Sequence, residues 1–341
     1  MIYRSKAPLR IGLAGGGTDV SPYSDLYGGA ILNITISKSA HANIEMIDGN
    51  EIIIVANDRN ESQYFDISNH LPINGMLDLT KGVYNRIQKD YPFTPCAMRI
   101  STFVDAPAGS GLGTSSTLVV AILGAFVEML KLPLGDYDIA HYAYDIERID
   151  LKLSGGKQDQ YAATFGGVNY MEFYQNDNVI VNPLRIRSQY LHELENNLLL
   201  YYTDTSRESA KIIDEQTKNV QNKNEKSIEA MHKLKEQAQQ MKEAFLKGNL
   251  NEIGNILDYG FEQKRLMAHN ISNNEIENLY KIAKDAGATG GKISGAGGGG
   301  FMIFYCPANT RYQVMKALEN SNGAFHDYTF VKHGLQTWTV D

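Results

Sequence analysis

Cysteine is nearly absent from this sequence. Only Cys96 and Cys306 occur in 341 residues, far apart in the chain and each beside apolar residues. Two cysteines in such positions argue against the disulfide frameworks that hold small secreted domains together. The pattern predicts two buried thiols in a protein of a reducing compartment.

Long apolar runs and positively charged runs are also missing. The chain contains no stretch of about 18 apolar residues, and residues Met1 to Lys6 contain no apolar segment of signal-peptide length. The formal net charge is -7 and no Lys/Arg-rich segment occurs, whereas nucleic-acid binders concentrate positive charge. The sequence therefore predicts a cytoplasmic protein with no nucleic-acid or membrane partner, in which local cations must bind any anionic substrate.

Two common nucleotide-binding motifs are absent as well. No G-x-x-x-x-G-K-[ST] sequence occurs, which excludes a Walker A loop. The glycines of Gly109–Gly113 lack the spacing of the dinucleotide fingerprint and its acidic residue about 20 positions later. Gly295, Gly297 and Gly300 match G-x-G-x-x-G, but they precede the predicted strand Phe301–Tyr305 and do not open a helix. A dinucleotide site therefore lacks its required context.

A glycine-rich segment at Pro107–Ser116 continues directly into the apolar segment Thr117–Leu132. Glycines let the backbone approach a ligand closely, and the first N–H groups of a helix are free to bind an anion, most often a phosphate. The alternative is a tight turn with an ordinary Ser/Thr cap. The candidate phosphate-binding residues are Pro107, Gly109, Ser110, Gly111, Leu112, Gly113, Thr114 and Ser115.

Hydrophobic periodicity indicates a mixed α/β chain. Period-two alternation over 30–46 and 51–56 predicts strands, and the nearly all-round apolar segment Ser116–Leu132 predicts a buried helix. The length predicts two lobes that share a cleft. We place the boundary so that the lobes comprise residues 1–188 and 189–341, with Tyr328–Val340 forming edge strands of the second lobe.

Two further segments carry candidate chemistry. An extended segment from Ile2 to Leu13 leads into three glycines followed by Thr18 and Asp19, which predicts a loop held close to a ligand; a flexible turn is the alternative. Glu147 lies in a predicted helix, and Asp159 follows twelve residues later at the start of a short helical piece. An acidic residue there can also be a simple complement to the helix dipole.

These segments together resemble the GHMP kinases, the superfamily of galactokinase and mevalonate kinase. Ala7-Pro8-Leu9-Arg10 with the loop ending in Asp19, the Pro107–Ser115 segment and the Gly291–Gly300 segment are similar to its three motifs, in the same order. Galactokinase-like members also place a helix glutamate twelve residues before a catalytic aspartate. The resemblance covers essentially the whole chain. It implies a two-lobed α/β fold, with a ribosomal-protein-like N-lobe, a ferredoxin-like C-lobe and the active site in the cleft.

The resemblance also implies a role for each motif residue. The main chain of Gly109 to Ser115 would hold the triphosphate of ATP, and Ser115 and Glu147 would hold Mg²⁺. Asp159 would be the catalytic base and Arg10 would keep it ionised. Asp19 would accept hydrogen bonds from sugar hydroxyls. The full set of candidate substrate-binding residues is Gly15, Gly16, Gly17, Asp19, Lys157, Arg207, Gly297 and Gly298.

Within the superfamily, Leu13–Asp19 and Gly155–Tyr161 are most similar to the D-glycero-D-manno-heptose 7-phosphate kinases, which phosphorylate an anomeric hydroxyl on the way to nucleotide-activated heptose for surface glycans. Galactokinases have an acidic residue and a histidine where this chain has Gly16 and Gly17, so a phosphorylated sugar has room to enter. Lys157 and Arg207 would then meet its phosphate; the alternative is that both are ordinary surface cations.

Three alternatives stay open. One is an L-fucokinase-like sugar 1-kinase. The second is a non-catalytic sensor of the same fold, and the third is an oxidoreductase, which would bind NAD instead of ATP. The expected partner is a small sugar or sugar phosphate, and the expected assembly is a monomer or homodimer.

Overall fold

The computed structural model describes residues 1–205 and 209–341. The strands are β1 (Ile2–Ala14), β2 (Gly29–Met46), β3 (Glu51–Ala56), β4 (Glu61–Asp66), β5 (Met98–Val104), β6 (Val168–Phe173), β7 (Val179–Pro183), β8 (Leu198–Tyr202), β9 (Gly290–Ile293), β10 (Phe301–Tyr305), β11 (Ala324–Phe325) and β12 (Gln336–Val340).

The helices alternate with these strands to give the predicted mixed α/β architecture. They are α1 (Tyr23–Tyr27), α2 (Asp78–Asp90), α3 (Thr114–Leu130), α4 (Asp136–Asp145), α5 (Gln158–Phe165), α6 (Ser188–Asn197), α7 (Ser209–Gln221), α8 (Glu225–Lys247), α9 (Glu252–Arg265), α10 (Asn274–Asp285) and α11 (Arg311–Leu318). A π-helical turn, Ile146–Asp150, continues α4.

The first sheet has the strand order β12-β1-β2-β5-β3-β4, and β6 and β7 extend it from β2. The period-two pattern over residues 30–46 forms one long strand, β2, which pairs antiparallel with β1, β5 and β6. The helix α3 packs across β1 and β2. Because its side chains are apolar nearly all round, both of its faces are covered, and Val119, Ile122 and Phe126 are fully buried.

The second sheet has the order β11-β8-β10-β9, and all of its pairs are antiparallel. Helix α9 packs on β9 and β10, and α8 lies between α9 and the first sheet. One apolar cluster joins the two halves, because Leu9 and Ile11 of β1 share it with Phe301 and Ile303 of β10. The two lobes are therefore joined by a common core.

The C-terminal strand corrects the predicted domain organisation. We expected Tyr328–Val340 to form edge strands of the second lobe, but β12 pairs antiparallel with β1, from Ile2 opposite Val340 to Lys6 opposite Gln336. It is an edge strand of the first sheet. An exposed edge strand shows the same alternation of apolar and polar residues in either sheet. The sequence pattern therefore could not show which sheet the strand joins.

Among the described residues, no helix is long and apolar enough to cross a membrane.

Candidate active site

A cavity of about 280 Å³ opens between the two sheets. It is lined by Arg10 at the end of β1, by the Asp19 loop, by the start of α3, and by Asp159 in the first turn of α5. Helices α7 and α9 and the third glycine segment close it from the second lobe. The three predicted motifs are thus brought to one cavity.

Arg10 and Asp159 form an ion pair in this cavity. The Arg10 Nη2 atom lies 2.6 Å from Asp159 Oδ1, and Arg10 Nε donates to the same oxygen at 2.7 Å. Arg10 Nη1 also donates to the carbonyl of Gly111 at 2.7 Å. The Arg10 side chain is 4% exposed, whereas that of Asp159 is 23% exposed and lines the cavity. Arg10 therefore fixes the carboxylate beside the glycine loop and leaves it accessible.

The predicted anion-binding loop leads directly into α3. Gly109, Gly111 and Gly113 adopt positive φ values of 72°, 86° and 79°. A side chain at Gly113 would be strained, and its Cβ would lie 3.0 Å from Asp159 Cγ. Glycine at this position therefore allows the loop to pass close to the Asp159 carboxylate.

Polar atoms of this loop face the cavity. Thr114, Ser115 and Ser116 at the start of α3 line it, and Ser115 is exposed. Ser110 is buried, and its Oγ has no hydrogen-bond partner among the residues that the structure describes. The loop and helix start thus have the geometry of an anion site.

Glu147 is positioned by the π-helical turn and is 1% exposed. Its carboxylate accepts a hydrogen bond from Gln160 Nε2 at 2.5 Å, and the Ser116 hydroxyl also bonds to it. Burial raises its pKa, and Arg148 acts in the opposite direction. Of the two serines at the start of α3, Ser116 bonds to Glu147, while the predicted metal ligand Ser115 is exposed and lines the same cavity.

Asp19 is 2% exposed and is held by the backbone that leads into α5. Its Oδ2 accepts hydrogen bonds from the N–H groups of Lys157 at 2.8 Å and Gln158 at 3.0 Å. Its Oδ1 has no partner among the described residues, although it is buried. Burial raises the pKa of Asp19 despite these N–H groups. Asp19 thus lines the cavity with one carboxylate oxygen that neither of these N–H groups occupies.

The glycines that were predicted to bind substrate differ in their positions. Gly17 lines the cavity, and Gly16 is partly exposed near it. Gly15 is buried, and its N–H donates to Gln237 Oε1 at 3.1 Å. In the third glycine segment Gly295 and Ala296 line the cavity. Gly297 and Gly298 instead pack against Ile271, whose carbonyl accepts the N–H of Gly298 at 2.8 Å.

The prediction for Lys157 needs correction. Its side chain is 1% exposed, and its ammonium lies 2.9 Å from Asp177 and 3.3 Å from Asp25. These two carboxylates balance the charge of the Lys157 side chain, and the main-chain N–H of Lys157 donates to Asp19. The other predicted phosphate-binding residue, Arg207, lies outside the described residues.

Sequence analysis missed a cation that lines the cavity. Lys264 of α9 lines the cavity, and its ammonium donates to the carbonyl of Gly295. Lys292 of β9 lies nearby and donates to the carbonyl of Gly12 at 2.8 Å. Lys292 lies within the third glycine segment, Gly291–Gly300, and this position was a signal that sequence analysis could have used. Lys264 stands in an amphipathic helix among other charged residues, and nothing local distinguishes it.

The comparisons with known proteins agree with this geometry. The families described as GHMP kinases N terminal domain and GHMP kinases C terminal match residues 78–167 and 241–324. The chain is 46% identical over 337 residues to the D-glycero-alpha-D-manno-heptose 7-phosphate kinase of Campylobacter jejuni, and the match covers 99% of each protein. The chain belongs to the GHMP kinases. It is a phosphotransferase that uses ATP and has a hydroxyl group as acceptor.

A solved structure supports the fold assignment. The crystal structure of a D-glycero-D-manno-heptose 1-phosphate kinase from Bacteroides thetaiotaomicron has a TM-score of 0.85 and 47% identity, with 99% of each chain covered. An L-fucokinase/L-fucose-1-P guanylyltransferase of Bacteroides fragilis is 27% identical over 87% of this chain and 34% of that protein. The predicted family and its two-lobed fold are confirmed.

Proposed function

We propose that this protein is an ATP-dependent sugar phosphate kinase, and that it transfers a phosphoryl group to the anomeric hydroxyl of D-glycero-D-manno-heptose 7-phosphate to give the 1,7-bisphosphate. The observation that carries the proposal is the Arg10–Asp159 pair, which lies between an anion-binding loop and the free acceptor oxygen of Asp19 in one cavity. The relative that is 46% identical supports the choice of sugar.

In this proposal Asp159 takes the proton of the acceptor hydroxyl. Phosphoryl transfer depends mainly on positioning and on neutralisation of charge. The exposed edge of the Asp159 carboxylate faces the cavity, and Arg10 holds it by two contacts to one oxygen. The guanidinium holds the carboxylate in place and stabilises the charge that develops as the new bond forms.

The main chain from Gly109 to Ser115 binds the triphosphate, since its glycines expose N–H groups at the start of α3. Mg²⁺ fits this site by the chemistry of the available donors. Glu147 and Ser115 supply hard oxygen ligands on one cavity wall. No group of three or more His, Cys, Asp or Glu side chains suited to a metal occurs in the described ranges. Mg²⁺ is usually held by few protein ligands together with substrate phosphates. When bound, the ion neutralises phosphate charge.

Asp19 orients the sugar. Its free Oδ1 accepts hydrogen bonds from hydroxyl groups, while the N–H groups of Lys157 and Gln158 fix the other oxygen. Gly156 is required for this arrangement because a Cβ there would lie 1.9 Å from Asp19 Oδ2. The acceptor hydroxyl is thereby turned toward Asp159.

A substrate panel tests the proposal. ADP release is measured with heptose 7-phosphate, heptose 1-phosphate, the free heptose and L-fucose, and the products are identified by ³¹P NMR. We expect turnover of heptose 7-phosphate with a new phosphorus signal coupled to the anomeric proton. Heptose 1-phosphate is included as a substrate because the solved relative is named as a heptose 1-phosphate kinase. Turnover restricted to heptose 1-phosphate or to fucose would overturn the proposal.

A further inference from the structure

Two buried lysines of the second lobe lie close to each other, and one of them, Lys264, lines the cavity between the lobes. Lys264 of α9 is 3% exposed, and Lys292 of β9 is 5% exposed. Their ammonium groups donate to the carbonyls of Gly295 and Gly12, respectively. Both carbonyls belong to segments that pass the active site.

Neither lysine forms an ion pair with a carboxylate within the parts of the chain that the structure describes. Burial, followed by the charge of Arg10, lowers the pKa of Lys264 to about 8, while Asp19 acts in the opposite direction. Burial, followed by the charges of Lys264 and Arg10, also lowers the pKa of Lys292. Buried charges without a counter-ion are costly. An anion bound between them would relieve that cost.

Gly16 leaves room for such an anion. A Cβ on Gly16 would lie 3.7 Å from Lys264 Nζ and 3.9 Å from Lys292 Nζ, and Gly16 is partly exposed. Both distances are ordinary van der Waals contacts, so the two ammonium groups flank the space that a side chain at Gly16 would enter. Asp19 follows three residues later. Asp19 lines the same cavity as Lys264, and its charge acts on the Lys264 ammonium, so a sugar bound by Asp19 lies near this space.

Lys157 cannot supply this charge, because Asp25 and Asp177 already balance it. Lys264, in contrast, lines the same cavity as Asp19 and Asp159. Phosphate is a good match for two ammonium groups, since it is a dianion with several acceptor oxygens.

We propose that Lys264, Lys292 and Gly16 form a subsite that binds the phosphate group already carried by the sugar substrate. The inference rests on the proposed function. It adds the residues that distinguish a sugar phosphate from a free sugar. The alternative is that the two lysines bind the phosphate that ATP transfers, and the tests below distinguish the two cases.

The first test replaces each lysine separately by methionine, as Lys264→Met and Lys292→Met. KM is measured for heptose 7-phosphate, for the free heptose and for ATP. We expect each change to raise KM for heptose 7-phosphate by about tenfold to a hundredfold, with little change in the KM for ATP or for the free heptose. Lys281→Met is the matched control, since Lys281 is exposed on α10 and pairs with Asp285.

The second test avoids removal of a buried residue. Gly16→Asp places a carboxylate between the two ammonium groups, and the geometry offers space for its Cβ. We expect the variant to remain folded with an unchanged or higher melting temperature. Its KM for heptose 7-phosphate should rise more than its KM for the free heptose, because its own carboxylate competes with the substrate phosphate.

The outcomes separate the two proposals. If the wild-type enzyme prefers heptose 7-phosphate and the variants have the same KM for it as the wild type, the proposed subsite is wrong but the proposed function stands. Variants that raise KM for ATP instead assign the lysines to the nucleotide and also overturn the proposed subsite. A wild-type enzyme that phosphorylates only free sugars overturns the proposed function and the subsite together.

Discussion

At the scale of single residues, the charged groups of the cavity differ in how they are balanced. Asp159 has a guanidinium partner, Asp19 has two backbone N–H groups, and Lys264 has a backbone carbonyl. The contacts with Arg10 fix the orientation of the Asp159 carboxylate in the cavity. A buried ammonium without a carboxylate partner is instead suited to bind an anion.

Asp159→Asn tests the proposed base. The amide keeps the shape of the side chain but cannot take a proton, so we expect kcat to fall by roughly 10²–10⁴ while the KM for ATP changes little. Steady-state kinetics with coupled ADP detection measures both constants. The control is Asp285→Asn, an exposed residue on α10 that pairs with Lys281. Turnover close to that of the wild type would remove Asp159 from the mechanism.

The pH dependence of substrate capture tests the charge of Lys264. Its pKa is lowered to about 8 by burial and by Arg10, with Asp19 opposing, and Lys292 is its other charged neighbour. The ammonium therefore loses its proton as pH rises through about 8 in the free enzyme. The second pKa of a phosphate monoester is about 6, so the substrate remains dianionic throughout. We expect kcat/KM for heptose 7-phosphate to fall between pH 7 and 9.

The control for this profile is Lys264→Arg, because a guanidinium stays protonated over the whole range. We expect the decline near pH 8 to be absent or weaker in that variant. An identical decline in the variant and the wild type would assign the titration to another group.

At the scale of elements, a π-helical turn positions the Glu147 side chain. Helix α4 continues as the π-helical turn Ile146–Asp150, and this turn holds Glu147 buried against Gln160 and Ser116. Short π-helical segments are frequent at functional sites. The sequence predicted a regular helix around Glu147, because the apolar spacing of a π turn resembles that of an α-helix over so few residues.

The contact between the second and third glycine segments is a further element-scale feature. Gly295 has φ of 65°, and a Cβ there would lie 2.6 Å from Gly111 Cα. Gly295→Ala must therefore push the two loops apart and displace the carbonyl of Gly111 that Arg10 binds. We expect kcat/KM to fall at least about tenfold, an effect of about 1.4 kcal/mol on the activation barrier, with a raised KM for ATP.

Gly49→Ala is the matched control for this substitution. Gly49 has φ of 120°, but nothing lies within 4 Å of its Cβ position. The control therefore introduces backbone strain without a steric conflict. Equal losses of activity in both variants would mean that strain, not the separation of the loops, causes the effect.

At the scale of the whole molecule, the lobes share one apolar cluster. Residues of β1, α8, α9 and β10 contribute to it. Unfolding of one lobe would therefore expose apolar surface of the other. We expect the two lobes to unfold together. The two lobes therefore form one framework, which encloses the cleft between them.

Ligand-induced stabilisation tests this framework and the nucleotide assignment together. We expect a single cooperative thermal transition, with a melting temperature that ATP raises and NAD leaves unchanged. A ligand at 100 times its Kd stabilises the folded state by about 2.7 kcal/mol. Differential scanning fluorimetry measures the shift, and far-UV circular dichroism checks that the transition is single. A shift with NAD alone, or two separate transitions, would contradict this expectation.

Patterns among neighbouring residues were sufficient to predict the local elements and to indicate the family. The alternation over residues 30–46 became β2, the apolar segment after Ser116 became α3, and the glycines of Pro107–Ser116 formed the turn that precedes it. These features depend on side-chain periodicity and backbone freedom, which are set by neighbours along the chain. The family resemblance also follows from such local motifs.

Two features could be seen only in the folded protein: which charged side chains face the cavity, and which sheet the C-terminal strand joins. Lys157 is neutralised by Asp25 and Asp177, whereas Lys264 reaches the cavity from α9 without a carboxylate partner in the described part of the chain. Strand β12 joins the first sheet although it follows the second in sequence. The reason is that charge balance and strand pairing depend on groups far apart in the chain, and only folding brings those groups into contact.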